Sequence, residues 1–532
     1  MTYYTEIMLR VPRMRMWFTQ PLFLLALAAA LIAIVVQSGD LGTSDAQHRL
    51  QSAHSFWTSE PPVFPNEYPD FGVRGRDGKI QSFYGIGQSL LFLPADIAGQ
   101  LIEEMPIFAD YNGNDPAVRA IVVCYLVSVF VNVVTALVCA RFLALLGFSR
   151  RQAIAGVLAL LLATTHLHYT QILQENNYIF LLTIAGLAFQ FEWVRTASRR
   201  SLAIGSTAFG LDLLTRLTTG MDLIVGGLFV LLVLLFEGLR GRALWARCRE
   251  YLAIAAPIYI FFAFLDRLYQ FYRFGSFWTT YMGLTAIEMR QRNSSLPPDF
   301  PLSAPFHRGF FGAFFSPEKS IFLFDPLLIV TVLLMLLAWR HFIPAVRAYQ
   351  VAMTAMLLVY VSFYARYFVW AGDFAWGDRY VSTAVQFAVL LAVPLLIRHR
   401  RELGSAVFWA GAAICAIALV VQAASVAFWL SLEEYQVVVM RRPVWVVPLR
   451  FENIAGFALG KTQNWGLYRF LPLDDAWAQQ HITCWNFLPF QLQHAGQAPG
   501  WAVTLTFTLW MAALAALATT LARLWQTLRS EN

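Results

Sequence analysis

Residues 21–36 read PLFLLALAAALIAIVV, and Ser38-Gly39-Asp40-Leu41-Gly42-Thr43-Ser44-Asp45-Ala46-Gln47-His48-Arg49-Leu50 follow. A helix needs about 20 mostly apolar residues to cross a bilayer. The run has no charge, and Arg10, Arg13 and Arg15 precede it. A cleaved signal peptide is the rival reading, but no small-x-small site follows the run. The segment therefore reads as an uncleaved first span with its N-terminus in the cytoplasm.

The rest of the 532-residue chain agrees, with 58% apolar and 13% charged residues and a mean hydropathy of +0.55. Soluble chains run at about 45–50% apolar and 25% charged. Disorder requires low hydrophobicity and high net charge. The expected fold class is an all-α polytopic membrane protein. Further spans are expected near 118–147, 152–168, 178–194, 201–217, 219–237, 251–267, 319–338, 350–367, 380–397, 404–430 and 502–523, about twelve in all.

Cytoplasmic loops collect Lys and Arg. Alternate gaps here are rich in arginine: Arg150/Arg151, Arg195/Arg199/Arg200, Arg240/Arg242/Arg247/Arg249, Arg340/Arg347, Arg398/Arg400/Arg401 and Arg523/Arg529. Both termini are expected in the cytoplasm. Topology thus accounts for the net charge of +7, and no nucleic-acid partner is needed. The long connections, 39–117, 268–318, 368–379 and 431–501, fall on the outer face, where the protein is expected to act. We divide the chain into a membrane domain at 1–430, an outer cap at 431–501, and a last span with its tail at 502–532. The cap holds Arg441, Arg442, Arg450, Lys461 and Arg469 and is too apolar for a free linker. Cys124, Cys139, Cys248, Cys415 and Cys484 are scattered, so no zinc or redox motif arises.

Ser44 and Gln47 fit an S-x-x-Q capping box. Asp45 then sits in the first turn of a helix, where the dipole favours its carboxylate. An ionised acid just outside the membrane can take a proton from a hydroxyl. The ordinary role of such a residue is only to stabilise its helix. Asp40, Glu67 and Asp70 are nearby alternatives, and His48 fits a polar helix face.

Four later stretches carry a resemblance. Arg74-Gly75-Arg76-Asp77-Gly78-Lys79-Ile80-Gln81-Ser82-Phe83-Tyr84-Gly85-Ile86-Gly87 resembles an "RG-x-DG-x-x-x-S-x-YG-x-G" motif. Phe274-Gly275-Ser276 through Tyr281 resembles "FG-x-P-x-x-x-GY", without the proline and with Thr280 for the second glycine. Gly312 through Phe315-Ser316-Pro317-Glu318-Lys319-Ser320-Ile321-Phe322 to Pro326 resembles "GLLFSP-x-x-GLF-x-x-SP", with Ser320 for glycine and Asp325 for serine. Trp376-Gly377-Asp378-Arg379-Tyr380 resembles "WG-x-RY". In this order they resemble a bacterial branch, related to protein O-mannosyltransferases, of the GT-C superfamily of membrane glycosyltransferases. The resemblance implies a GT-C-like bundle in a bacterial inner membrane and a polyprenyl-phosphate-linked sugar as donor. The acceptor would be a glycan, lipid or protein on the outer face. It assigns Asp45 the role of general base in an inverting transfer. Paired acids are frequent at that point in the superfamily, whereas Ala46 follows Asp45 here. No cofactor is implied, and a divalent metal is left open.

Charges inside spans are expensive and tend to be functional. Asp212 and Arg216 are spaced i, i+4, Asp222 opens the next span, and Glu175 sits in the preceding short outer gap. These are read as lining a cavity or, equally, as a structural ion pair. Arg379, Arg216 and Lys319 are the expected donor-phosphate ligands, since a guanidinium fork matches phosphate oxygens and Lys319 stands out in a chain that uses arginine almost everywhere. His48, Glu175, Asp212, Trp376, Asp378 and Tyr380 are the expected cavity lining. The alternatives are a lipid or glycolipid flippase, which would want broken spans and midplane charge, or a non-catalytic scaffold.

Overall fold

The computed structural model describes residues 20–67, 71–111, 113–372, 375–429, 432–433, 436, 445–460 and 484–530. Arg10, Arg13, Arg15, Asp70, Arg441, Arg442, Lys461 and Arg469 lie outside them.

The chain is an all-α membrane protein. Among the described residues, seven helices are long and apolar enough to cross a bilayer: Val118–Leu145, Asn176–Thr196, Leu217–Phe236, Gly241–Phe274, Pro344–Tyr364, Arg400–Ser425 and Gly500–Arg529. Three shorter apolar helical stretches also occur among the described residues, at Gln20–Val36, Leu327–His341 and Ser382–Arg398, the last broken into Ser382–Val389 and Ala392–Arg398. The other two expected spans fall on Arg150–Ala163 and Arg199–Leu213, of 14 and 15 residues. Both are shorter than the roughly 20 residues of a perpendicular crossing.

Packing is between neighbours in sequence and across the bundle. Gln20–Val36 lies between Val118–Leu145 and the last helix, and the Trp510 indole donates to the Val35 carbonyl at 2.9 Å. Asn176–Thr196 packs on Arg199–Leu213, and Gly220–Phe236 on Pro344–Tyr364. Where these helices meet, Phe142, Phe191, Phe229 and Tyr349 form an aromatic knot with centroids 5.4–6.1 Å apart. Tilted and edge-on pairs of this kind are the favoured ring geometry.

One end of the bundle carries the long connections. After the first helix the chain turns into the short helix Ser44–His54. It then makes an antiparallel hairpin, β1 Gly72–Arg74 and β2 Ile80–Ser82. Ile86–Glu103 follows as one 18-residue helix packed on Val118–Leu145; it is not among the helices apolar enough to span. In the 431–501 cap the described helices include Val446–Ala458 and Leu488–Ala495; the first of these is tied to the bundle by an arginine. Its buried Arg450 donates to Glu433 at 2.6 and 2.5 Å and to the carbonyls of Ala424, Ser425 and Phe428.

Candidate functional site

A cavity of about 590 Å³ opens at that end. Six charged residues line it: Asp45, Arg49, Glu175, Arg216 and Arg379, which form a connected floor, and Arg290, which donates to the Ala286 and Pro298 carbonyls. Tyr84, Tyr281, Tyr364, Tyr367 and Tyr380 line one side, and Phe300, Pro301, Leu302, Phe363 and Phe368 another. Segments up to 334 residues apart converge on it.

Asp45 is in the first turn of Ser44–His54, as expected, but the cap is one residue earlier. Thr43 is extended, and its side chain accepts from the Ala46 N–H at 3.3 Å. Ser44 is already helical, so the S-x-x-Q reading misplaced the cap by one residue. Arg49 lies one turn beyond Asp45, on the same helix face. The Leu173 N–H donates to the Leu41 carbonyl at 3.2 Å, tying the approach to this helix to the loop that bears Glu175.

The hairpin delivers Tyr84. Arg273, at the end of Gly241–Phe274, donates to the carbonyls of Ser82 and Tyr84 at 2.6 and 3.0 Å. The Arg76 N–H returns a bond to the Arg273 carbonyl at 2.7 Å. Gly85 and Gly87 then pass close to the loop before Arg216. A Cβ at Gly85 would lie 2.4 Å from the Leu214 carbonyl oxygen, and one at Gly87 2.4 Å from the Thr215 hydroxyl. Real Cβ atoms essentially never come so close, so a side chain at either position would force the chain or its neighbour to shift.

Arg379 follows a rigid turn. Lys319 donates its ammonium to the Ala375 carbonyl at 2.6 Å, and the Tyr380 N–H donates to Asp378 at 3.1 Å. Asn176 donates to the Arg379 carbonyl at 2.7 Å.

These elements assemble a charge network. Arg379 donates to Asp45 at 2.9 Å, and the Tyr84 hydroxyl donates to the other oxygen of the same carboxylate at 2.7 Å. Glu175 pairs with Arg49 at 2.8 Å and also with Arg216. Arg49 lies 4.1 Å from the centre of the Tyr84 ring, a cation–π contact. Burial alone would raise the Asp45 pKa. Arg379, Arg49, the Tyr84 hydroxyl and Arg216 outweigh it and bring the carboxyl down to about 2. Burial, with Asp45 beside it, holds the Tyr84 phenol well above its usual range. Three arginines face two carboxylates, leaving one net positive charge on the floor.

Of the residues singled out from sequence, Asp45, Arg379, Arg216, Glu175 and Tyr380 line this cavity. The others lie outside its lining, each for a physical reason. Lys319 spends its donors on the backbone of the turn. Trp376 is 2% exposed and packs edge-on against Phe324. Asp378 folds back on the Tyr380 N–H; burial pushes its carboxyl up to about 7 against that bond and Lys319. All three build the turn that presents Arg379. His48 is stacked on Phe71 with centroids 4.2 Å apart. Asp212 accepts from Thr183 at 2.8 Å, and the same hydroxyl lies 3.1 Å from Asp222. The expected Asp212–Arg216 pair does not form, because the helix ends at Leu213 and Arg216 turns to Glu175. Among the described residues, no group of three or more His, Cys, Asp or Glu is placed to hold a metal.

Arg49, Tyr84, Tyr281, Tyr364 and Tyr367 were not singled out from sequence. The signals were present for three of them: the i, i+4 spacing for Arg49, and positions inside the motif stretches for Tyr84 and Tyr281.

No protein-family model and no curated protein matches the chain. Among solved structures it is similar to the crystal structure of ArnT from Cupriavidus metallidurans bound to undecaprenyl phosphate. The identity is 13% over 94% of this chain and 77% of that one, with a TM-score of 0.42.

Proposed function

We propose that the protein is a membrane glycosyltransferase that moves a sugar from a polyprenyl-phosphate donor to a hydroxyl acceptor at the outer face. One observation carries the reading: an ionised Asp45 and the three arginines of its charge network share a cavity that also has an apolar wall. Phe363 and Phe368 on that wall are each 44% exposed, which suits a lipid tail. The guanidinium floor suits its phosphate. Tyr364 and Tyr380, stacked at 4.5 Å, offer an aromatic face to a sugar between the two. Tyr84, Tyr281, Arg379 and Tyr380, which come from three of the four motif stretches, all line this cavity.

In this reading Asp45 accepts the proton of the acceptor hydroxyl. The acceptor oxygen bonds to the anomeric carbon as the bond from that carbon to the phosphate oxygen breaks. The lipid phosphate leaves with the electron pair, and Arg379 meets its growing charge. A single displacement with one base inverts the anomeric centre. Arg216 supports the phosphate side. Asp212, Lys319, Trp376 and Asp378 serve the scaffold.

The test is transfer from a polyprenyl-phosphate sugar by purified protein in detergent. Asp45→Asn should lower turnover by about 10²–10⁴-fold, the range for a lost general base. Near-normal transfer by that variant would move the base to Asp40, Glu67 or Asp70. Absence of lipid-phosphate binding by the wild-type protein would remove the reading altogether.

A further inference from the structure

Asp45 and Arg379 are asked for opposite services, yet they are bonded to each other at 2.9 Å. A carboxylate held by a guanidinium is a poor base, and a guanidinium held by a carboxylate has less to offer a phosphate. The geometry points to a resolution, which rests on the function proposed above: the Asp45–Arg379 pair is a resting latch, and the donor's phosphate opens it by taking Arg379 away from Asp45.

Two ion-pair systems sit on the cavity floor, and they differ in how far they are sealed. Arg49 and Glu175 have side chains only 4% and 3% exposed. Breaking a pair so buried leaves a bare charge and costs about 3–5 kcal/mol. Arg379 and Asp45 are 17% and 18% exposed, and both line the cavity. Glu175 already commits two of the three arginines, Arg49 and Arg216. Among the described residues, Arg379 has Asp45 as its only acid partner. Of the three guanidiniums in this network it is therefore the one that an entering anion can capture at least expense; Arg290, which also lines the cavity, is spent on the Ala286 and Pro298 carbonyls. Its Nε is buried without a hydrogen-bond partner, so the fork is not saturated by the contacts it makes.

Exchange also prepares the base. Arg379 is foremost among the groups that hold the Asp45 carboxyl down to about 2. Once Arg379 turns to phosphate, which brings its own negative charge nearby, Asp45 loses its main cation and its proton affinity rises. The Tyr84 hydroxyl, still 2.7 Å away, keeps the freed carboxylate oriented. Asp45 becomes basic only when a donor is seated, which guards against idle protonation chemistry in the empty site.

The latch makes a prediction that a simple base does not. Asp45 competes with phosphate for Arg379, so removing its charge should tighten donor binding while transfer is lost. Equilibrium binding of a polyprenyl monophosphate, without sugar, is measured on the full chain in detergent. Asp45→Asn and Asp45→Ala should each bind about fivefold or more tighter than wild type, the factor for about 1 kcal/mol of relieved pairing. Asp45→Glu, which keeps the competing charge, should stay within about twofold. Equal or weaker binding by both neutral variants, with the wild type binding normally, overturns the latch and leaves the glycosyltransferase reading standing. Tightening by Asp45→Glu as well would mean a steric effect and also overturns it. So would failure of both neutral variants to fold, since a latch partner must be dispensable to the fold.

Discussion

Glu175 holds two arginines at once, and that makes it the residue on which the charged floor depends. Glu175→Gln would leave Arg49 and Arg216 facing each other with no acid between them. Breaking such a buried pair from one side typically costs about 3–5 kcal/mol, so thermal unfolding in detergent should show a clear loss of stability. Asp45 differs, because its effect should depend on pH. Its folded pKa of about 2 lies below the 3.8 of free aspartate. The stability it lends is complete above about pH 4 and is lost as pH falls from there toward 2. The stability gap between wild type and Asp45→Asn should therefore be constant above pH 4 and shrink below it; a gap that widened on acidification would contradict the low pKa. At this scale the sequence was partly readable. Asp45 and Arg379 stood out by motif and by charge near a span. Lys319 stood out because lysine is scarce in the chain, but scarcity says nothing about where an ammonium points. It points into the turn's own carbonyls.

Elements explain how the motif residues reach the cavity. The hairpin ending in Ser82, the glycines at 85 and 87, and Arg273 act as one clamp that sets the position of Tyr84. Gly85 has ordinary extended backbone, with φ −67 and ψ 157, so alanine there meets no conformational strain. The penalty is contact with the Leu214 and Thr215 carbonyl oxygens at 2.4 and 2.6 Å. Gly85→Ala should cost about 1–3 kcal/mol, as overpacking does, and should slow transfer by shifting Tyr84 and the Arg216 loop. Gly500→Ala, with open space around it, is the control and should change neither reading. The helices themselves were legible because apolar length is a strong signal in a membrane chain. Their ends were not. Asp212 and Arg216 have helical spacing, but the helix stops at Leu213, and only tertiary contacts show the two diverging to Thr183 and Glu175. The expected span 380–397 is likewise two helices, Ser382–Val389 and Ala392–Arg398, a break that hydropathy does not register.

At the scale of the whole molecule, contacts decide which loops share a side, and arginines decide which side that is. Asp45 and Tyr281 line one cavity, so the 39–117 and 268–318 connections are at the same end of the bundle. Arg450 lies 5.0 Å from the Trp376 ring, next to the turn that bears Arg379, which brings the cap to that end too. Any reporter fused after residues 60, 290 or 460 must then read alike, whatever the orientation. The arginine-rich gaps at 195–200, 240–249 and 398–401 lie between other pairs of helices. If they face the cytoplasm, as the positive-inside rule requires, all three reporters read outside. Two outcomes would bear differently. Three reporters reading cytoplasmic would invert the protein and move the cavity to the inner face, leaving its chemistry intact. A split between the reporters at 60 and 290 would contradict the shared cavity itself, because residues that line one pocket cannot be on opposite sides of a bilayer, and a 460 reporter reading apart from both would contradict the Arg450–Trp376 contact.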